Sequence, residues 1–121
     1  VDFAGGITAA LTRAKNYCQE KGKDLRIEIE TRSEEEIREA LATNIPDRIM
    51  LDNFNPERTK SAVEIIRAWE KENGKHIEIE SSGGITIDTL HDYAVTGVDF
   101  VSVGALTHSV KSLDMSFKAM R

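Results

Sequence analysis

Apolar and polar residues alternate one by one in four short stretches of the chain and recur every three to four residues between them. Leu25-Arg26-Ile27-Glu28-Ile29-Glu30-Thr31, Arg48-Ile49-Met50-Leu51-Asp52, His76-Ile77-Glu78-Ile79-Glu80 and Val98 to Val103 carry the period of two that predicts strands. Ile7, Leu11, Ala14 and Cys18 stand at helical spacing, which predicts a first helix with Thr8 as its N-cap and Gly22 past its end. Ser33 with Glu36 three residues later reads as a capping box for a second helix, closed by Pro46. Pro56 suits the first turn of a third helix, with Val63, Ile65, Ile66 and Trp69 on its apolar side and Asn73-Gly74 near its end. A short helix from Ile87 to Val95 and a helical tail from Leu113 to Met120 complete the series.

Helices alternating with short Ile/Val strands predict an α/β fold with a parallel sheet and right-handed crossovers. Four parallel strands alternating with helices resemble the C-terminal half of a (β/α) barrel more than a complete doubly wound domain. No linker composition interrupts residues 1–121, so a single unit is expected. A half barrel has two raw parallel edges, which predicts self-association or edge covering by the terminal helices.

Residues two apart on a strand share a face. Ile27 and Ile29 therefore suit packing under helices, while Arg26, Glu28 and Glu30 take the other face. Met50 joins Asp52 there, as His76 joins Glu78 and Glu80. Buried carboxylates need cations, hydrogen bonds or a ligand, and Arg26 and Arg48 are placed to serve Glu28 and Glu78 in the lower layers. Glu30 and Asp52 end their strands, where parallel barrels carry their chemistry; Glu80 lies near the same end. Such a pair can accept hydrogen bonds from sugar hydroxyls, hold Mg2+ through water, or act as general acid and base.

Two glycine turns follow the last two strands: Ser81-Ser82-Gly83-Gly84 and Gly104-Ala105. Main-chain amides in such a turn, followed by a helix N-terminus, suit a phosphate. Carboxylates on the earlier strands and a phosphate grip on the later ones suit a phosphorylated sugar.

The net charge of −5 argues against nonspecific binding to nucleic acid or an anionic membrane. No apolar run has the length of a membrane-spanning helix, and no signal peptide is expected at the start of the chain. The single Cys18 points to a reducing compartment, hence a cytoplasmic protein, and reads as a structural residue.

Ile27-Glu28-Ile29-Glu30, Ile49-Met50-Leu51-Asp52-Asn53-Phe54, Glu80-Ser81-Ser82-Gly83-Gly84-Ile85-Thr86 and Gly97 to Ser109 occur in order and at a shared spacing. Together they resemble the C-terminal part of the nicotinate-nucleotide pyrophosphorylase (carboxylating) family, also called quinolinate phosphoribosyltransferase. The resemblance runs the whole length, including Leu113-Asp114 and Ser116-Phe117-Lys118. It implies a glycosyltransferase of NAD biosynthesis that makes nicotinate mononucleotide, carbon dioxide and pyrophosphate from quinolinate and phosphoribosyl pyrophosphate, with Mg2+ as cofactor. It further implies that Glu30 and Asp52 hold the ribose hydroxyls and the magnesium-pyrophosphate side of the donor. Ser82, Gly83 and Gly84, with Gly104 and Ala105, would bind the 5′-phosphate, with Glu80 and His108 nearby. His76 and His91 are read as structural or surface residues.

The family also has an N-terminal domain and early barrel strands whose Arg, His and Lys residues clamp the two quinolinate carboxylates. No run of that kind occurs here, so these 121 residues are expected to be a fragment that is inactive alone yet able to bind phosphate. The family builds its sites between paired subunits, which implies a homo-oligomer. The alternatives are a different phosphate-binding barrel enzyme, or a non-catalytic excised folding unit.

Overall fold

The computed structural model describes residues 6–22 and 25–112. Nine elements follow in order: α1 (Gly6–Glu20), β1 (Glu28–Thr31), α2 (Glu34–Thr43), β2 (Arg48–Asp52), α3 (Pro56–Asn73), β3 (Glu78–Ser82), α4 (Leu90–Ala94), β4 (Phe100–Val103) and β5 (Leu106–Ser109). They form an α/β fold around one sheet of order β1-β2-β3-β4-β5, in which β1 to β4 are parallel and β5 is antiparallel to β4.

Local chemistry sets most boundaries. Ser33 caps α2 by accepting from the Glu36 N–H. The Glu36 carboxylate accepts from the Arg32 N–H rather than from that of Ser33, so the box closes one residue further out than expected. Asn44, at φ 56°, ends α2 in the left-handed region before Pro46 is reached. Asn55 caps α3, Pro56 fills its first turn, and Gly74 ends it at φ 65°. Thr8 is not the cap of α1: it lies inside the helix, and its N–H and hydroxyl both donate to Glu39 on α2.

The sheet has one covered face. Ile49, Leu51, Ile77, Ile79 and Val101 are fully buried there, against Ile7 and Leu11 of α1, Ile37, Ala40 and Leu41 of α2, and Ala62 and Ile66 of α3. Trp69 packs against the edge of this core. At the N-terminal ends of the strands, two aspartates act as matching clamps. Asp47 takes the Ile27 N–H on its carboxylate and returns its own N–H to the Ile27 carbonyl, both at 2.8 Å. Asp99 does the same with Ile79, at 2.9 and 2.8 Å.

Three expectations are corrected. β3 starts and ends two residues later than the alternation suggests, which places Ser82 within the strand. α4 is only five residues long and begins six residues after Gly84, so the Gly83-Gly84 turn does not run into a helix N-terminus. The sheet has a fifth strand: Gly104-Ala105 turns a β-hairpin instead of leading into a helix, and β5 covers the edge of β4. The expected tail helix, Leu113 to Met120, lies outside the described residues.

Candidate active site

The opposite face of the sheet is polar, and its strand register sorts the charges into layers. Glu28, Arg48 and Glu78 stand side by side in the lowest one; Glu30, Met50, Glu80 and Phe100 form the next. Asp52 then pairs with Ser82, and Ser102 with Thr107.

The lower layers are neutralised in part, through Glu78 and Glu80. Arg48 donates to Glu78 Oε1 at 3.0 Å and to Glu80 Oε1 at 3.1 Å, with its guanidinium carbon 4.0 Å from the centre of the Phe100 ring. Arg26 also donates to Glu78. Burial works against the Glu78 charge, but the bonds from Arg48 and Arg26 outweigh it and hold the carboxyl below its ordinary range. Glu28 lacks such a bond. Its burial and the nearby Glu80 charge raise its pKa, more than Arg48 and Arg26 lower it.

Glu80 is 4% exposed and fully engaged. Its Oε1 meets Arg48, and its Oε2 accepts from the Ser102 hydroxyl at 2.7 Å. The Ser102 oxygen lies 2.9 Å from Thr107 Oγ1, so a hydrogen-bonded line runs from Arg48 to the hairpin. Buried between two partners, Glu80 is built as a support for the layer above it.

The C-terminal rim carries the remaining chemistry. Glu30 and Asp52, from neighbouring strands, are exposed and partly buried respectively, and both accept from Arg32, at 2.9 and 3.3 Å. Asp52 also faces the glycine turn. Gly83 adopts φ 93° and Gly84 φ 72°, conformations that side-chain-bearing residues rarely take. A β-carbon on Gly83 would lie 2.8 Å from the Asn53 nitrogen and 2.9 Å from Asp52 Oδ1. The Asn53 N–H donates to the Ser82 carbonyl at 2.8 Å, and Asn53 itself sits at φ 63°. Two loop ends in left-handed conformations thus lock together, which brings the Asp52 carboxylate against the Ser82-Gly83 backbone.

The other expected residues are distributed as follows. Gly104, at φ 63°, and Ala105 are exposed at the hairpin apex. His108 pairs with the buried Val101 and so lies on the helix-facing side of β5, away from Ser102 and Thr107. His76 contacts Glu70 on the outer surface.

Sequence reasoning missed Arg32, Arg58, Ser102 and Thr107. Arg32 continues the even-numbered parity of Glu28 and Glu30, a signal that was present. Arg58 stacks on Phe54, 4.3 Å from its ring centre, and donates to the Arg32 carbonyl, a link between α3 and the β1 loop that only folding creates.

For a divalent cation, Glu30 and Asp52 offer hard oxygen donors on adjacent strands. Among the described residues no group of three or more His, Cys, Asp or Glu side chains is gathered as a metal cage. Such a pair fits a magnesium ion that keeps most of its water and takes further oxygens from a phosphorylated ligand.

Residues 1–118 match the family described as quinolinate phosphoribosyl transferase, C-terminal domain. The chain is 45% identical over 116 residues to a probable nicotinate-nucleotide pyrophosphorylase [carboxylating] of Methanocaldococcus jannaschii, covering 96% of this chain and 40% of that protein. It is 39% identical over 132 residues to the chloroplastic nicotinate-nucleotide pyrophosphorylase [carboxylating] of Arabidopsis thaliana, covering 98% and 36%. Among solved structures it resembles the nicotinate-nucleotide pyrophosphorylase from Francisella tularensis, with a TM-score of 0.68 and 39% identity over 84% of this chain and 32% of that one. The chain therefore spans two fifths or less of the length of these relatives.

Proposed function

The chain belongs to the quinolinate phosphoribosyl transferase family, in the part described as its C-terminal domain, and we propose that it supplies the donor-binding part of the active site in an enzyme of that activity. The reaction joins quinolinate to phosphoribosyl pyrophosphate and yields nicotinate mononucleotide, carbon dioxide and pyrophosphate. The observation that supports the reading is the close approach of the Asp52 carboxylate to the Gly83 backbone, a carboxylate beside a glycine turn as a phosphorylated sugar would require.

In this reading Glu30 and Asp52 accept hydrogen bonds from the ribose hydroxyls. They also face the positive charge that develops on the ribose as pyrophosphate departs, and preorganised carboxylates favour that state over the ground state. Bound magnesium would supply neutralisation of the leaving group, with Glu30 and Asp52 as its nearest protein oxygens. The Ser82 hydroxyl and the amides of Gly83 and Gly84 would grip the 5′-phosphate; Gly104 and Ala105 would add main-chain donors from the hairpin. We assign His108 no contact, because it faces the other side of that hairpin.

Arg26 and Arg48 each meet carboxylates in the lower layers of the sheet. A dianionic aromatic acid would therefore draw its cations from outside these residues. The 121 residues alone are expected to bind phosphate without turning over, with the rest of a barrel completing the sheet beyond β1. Pairing with a further copy is part of the same proposal, and the half-buried Cys18 supports a reducing, cytoplasmic setting. No helix among the described residues is long and apolar enough to cross a membrane.

The test is formation of nicotinate mononucleotide from quinolinate by the complete protein, with and without the donor. Donor-dependent product that falls at least a hundredfold in Asp52→Asn is the expected result. No nicotinate mononucleotide in the presence of quinolinate and the donor, or an undiminished Asp52→Asn, would overturn the assignment.

A further inference from the structure

Arg32 stands one residue beyond β1 and bridges the two rim carboxylates, with Nη2 2.9 Å from Glu30 Oε1 and Nε 3.3 Å from Asp52 Oδ2. Its main chain is held on both sides. The N–H donates to Glu36 Oε1 at 2.7 Å, and the carbonyl accepts from Arg58 Nη2 at 3.2 Å. Arg58 is itself anchored over the buried Phe54 ring. The Arg32 side chain, by contrast, is 57% exposed. A guanidinium with a pinned backbone and a solvent-facing stem changes partner by rotating its own χ angles, with no loop movement.

We propose that Arg32 is a partner-switching residue of the donor site. Without donor it takes the cation's place between Glu30 and Asp52; when a pyrophosphate-bearing donor arrives with its divalent cation, it turns from the carboxylates to the phosphate oxygens. The inference rests on the assignment of Glu30 and Asp52 to the donor.

Three physical points support the switch. Two carboxylates on neighbouring strands repel unless a cation lies between them, and Arg32 is the group that meets both. Its ion pairs are solvent-screened, so giving them up costs little. Phosphate oxygens match the planar fork of a guanidinium in pairs, which the two separate contacts at 2.9 and 3.3 Å do not achieve. As the guanidinium leaves, the incoming cation takes over the same carboxylate oxygens, and charge at the rim stays balanced.

The experiment uses the complete purified protein as wild type, Arg32→Gln and Arg32→Lys, with Mn2+ alone and magnesium pyrophosphate as probes, followed by steady-state kinetics. Arg32→Gln should bind Mn2+ roughly two- to fivefold more tightly, because the competing cation is gone. The same variant should bind pyrophosphate about tenfold more weakly. The KM for the donor should rise, while that for the acid acceptor stays level. Arg32→Lys keeps the charge without the fork, so Mn2+ affinity should stay near wild type while pyrophosphate affinity recovers only in part. A structural role alone would weaken both probes together, so opposite movements in Arg32→Gln are the signature. An unchanged or lower Mn2+ affinity, or undiminished pyrophosphate binding, would overturn the switch. If wild type binds neither probe, the donor-site assignment fails and the switch with it.

Discussion

Asp52 and Gly83 meet where no side chain fits: a β-carbon on Gly83 would stand 2.9 Å from Asp52 Oδ1 and 2.8 Å from the Asn53 nitrogen. The carboxylate at the end of β2 and the glycine turn after β3 are therefore one structural feature, and neither can shift without the other. Gly83→Ala combines that clash with a side chain forced to φ 93°. It should cost about 1–3 kcal/mol of stability, read from urea unfolding, and should abolish phosphate binding by calorimetry. Gly84→Ala offers a contrast. It carries similar strain at φ 72° but meets nothing within 4 Å, so it should lower stability and keep measurable phosphate affinity.

Arg48 holds the lower polar layers together, because both Glu78 and Glu80 depend on it. Arg48→Met would leave Glu80, 4% exposed, without a cation. Removing one partner of a buried pair costs about 3–5 kcal/mol. The Arg48→Met/Glu80→Gln double variant should regain part of that loss. Equal destabilisation of the single and double variants in chemical denaturation would rule out the ion pair as the cause.

Glu78 and Glu28 lie in one layer and their pKa values are shifted in opposite directions. Glu78 is held below its ordinary value: burial opposes its charge, and Arg48 and Arg26 prevail. A depressed carboxylate stabilises the fold above its unfolded pKa, and that contribution is lost as pH falls through its folded pKa. Glu28 is raised by burial and by Glu80, so its favourable contribution exists below the unfolded pKa and is lost as pH rises through the raised value. Thermal unfolding across pH separates the two. Glu78→Gln should lower Tm near neutrality and lose its effect once the pH is below the depressed folded value, whereas Glu28→Gln should raise Tm near neutrality and lose its effect in acid, below the ordinary carboxylate range.

Ser102 couples the buried Glu80 to the hairpin through bonds of 2.7 and 2.9 Å. Ser102→Ala leaves one Glu80 oxygen without that donor, at a cost of about 1–2 kcal/mol. Amide exchange should quicken in β5 while β2 stays protected. Uniform quickening across the sheet would mean that Ser102 supports the core in general and not the hairpin in particular.

Much of this was legible before folding. Period-two alternation placed β2 at Arg48–Asp52, and Pro56 marked the start of α3. Arg26 and Arg48 are the cations the sequence offers to Glu28 and Glu78; both meet Glu78, whereas Glu28 gains no such bond and keeps a raised pKa. The second glycine turn was misread for a definite reason. A Gly-Ala pair after a strand serves a βα connection or a hairpin equally well, and four residues such as Leu106-Thr107-His108-Ser109 carry too little pattern to choose. The choice was made by hydrogen bonds to β4, an interaction the segment cannot make alone. α4 shrank for a similar reason: Thr86 and Thr89 bond to each other's main and side chains in a tight turn, which competes with the helix expected from Ile87 onward.

By itself, the sequence determined the alternation of strands and helices, the face on which each carboxylate sits, and the presence of acidic strand ends and glycine turns. Those follow from the two-residue period of a strand and from the backbone freedom of glycine, both of which are local. Tertiary structure alone decided that Gly83 presses on Asp52, that Arg32 spans Glu30 and Asp52, and that Glu80 is spent on Arg48 and Ser102. Each needs a contact between strands or loops some twenty or more residues apart, although Arg32 also meets Glu30 only two residues away. That contact arises from the parallel register, which sets neighbouring strand ends within hydrogen-bonding reach.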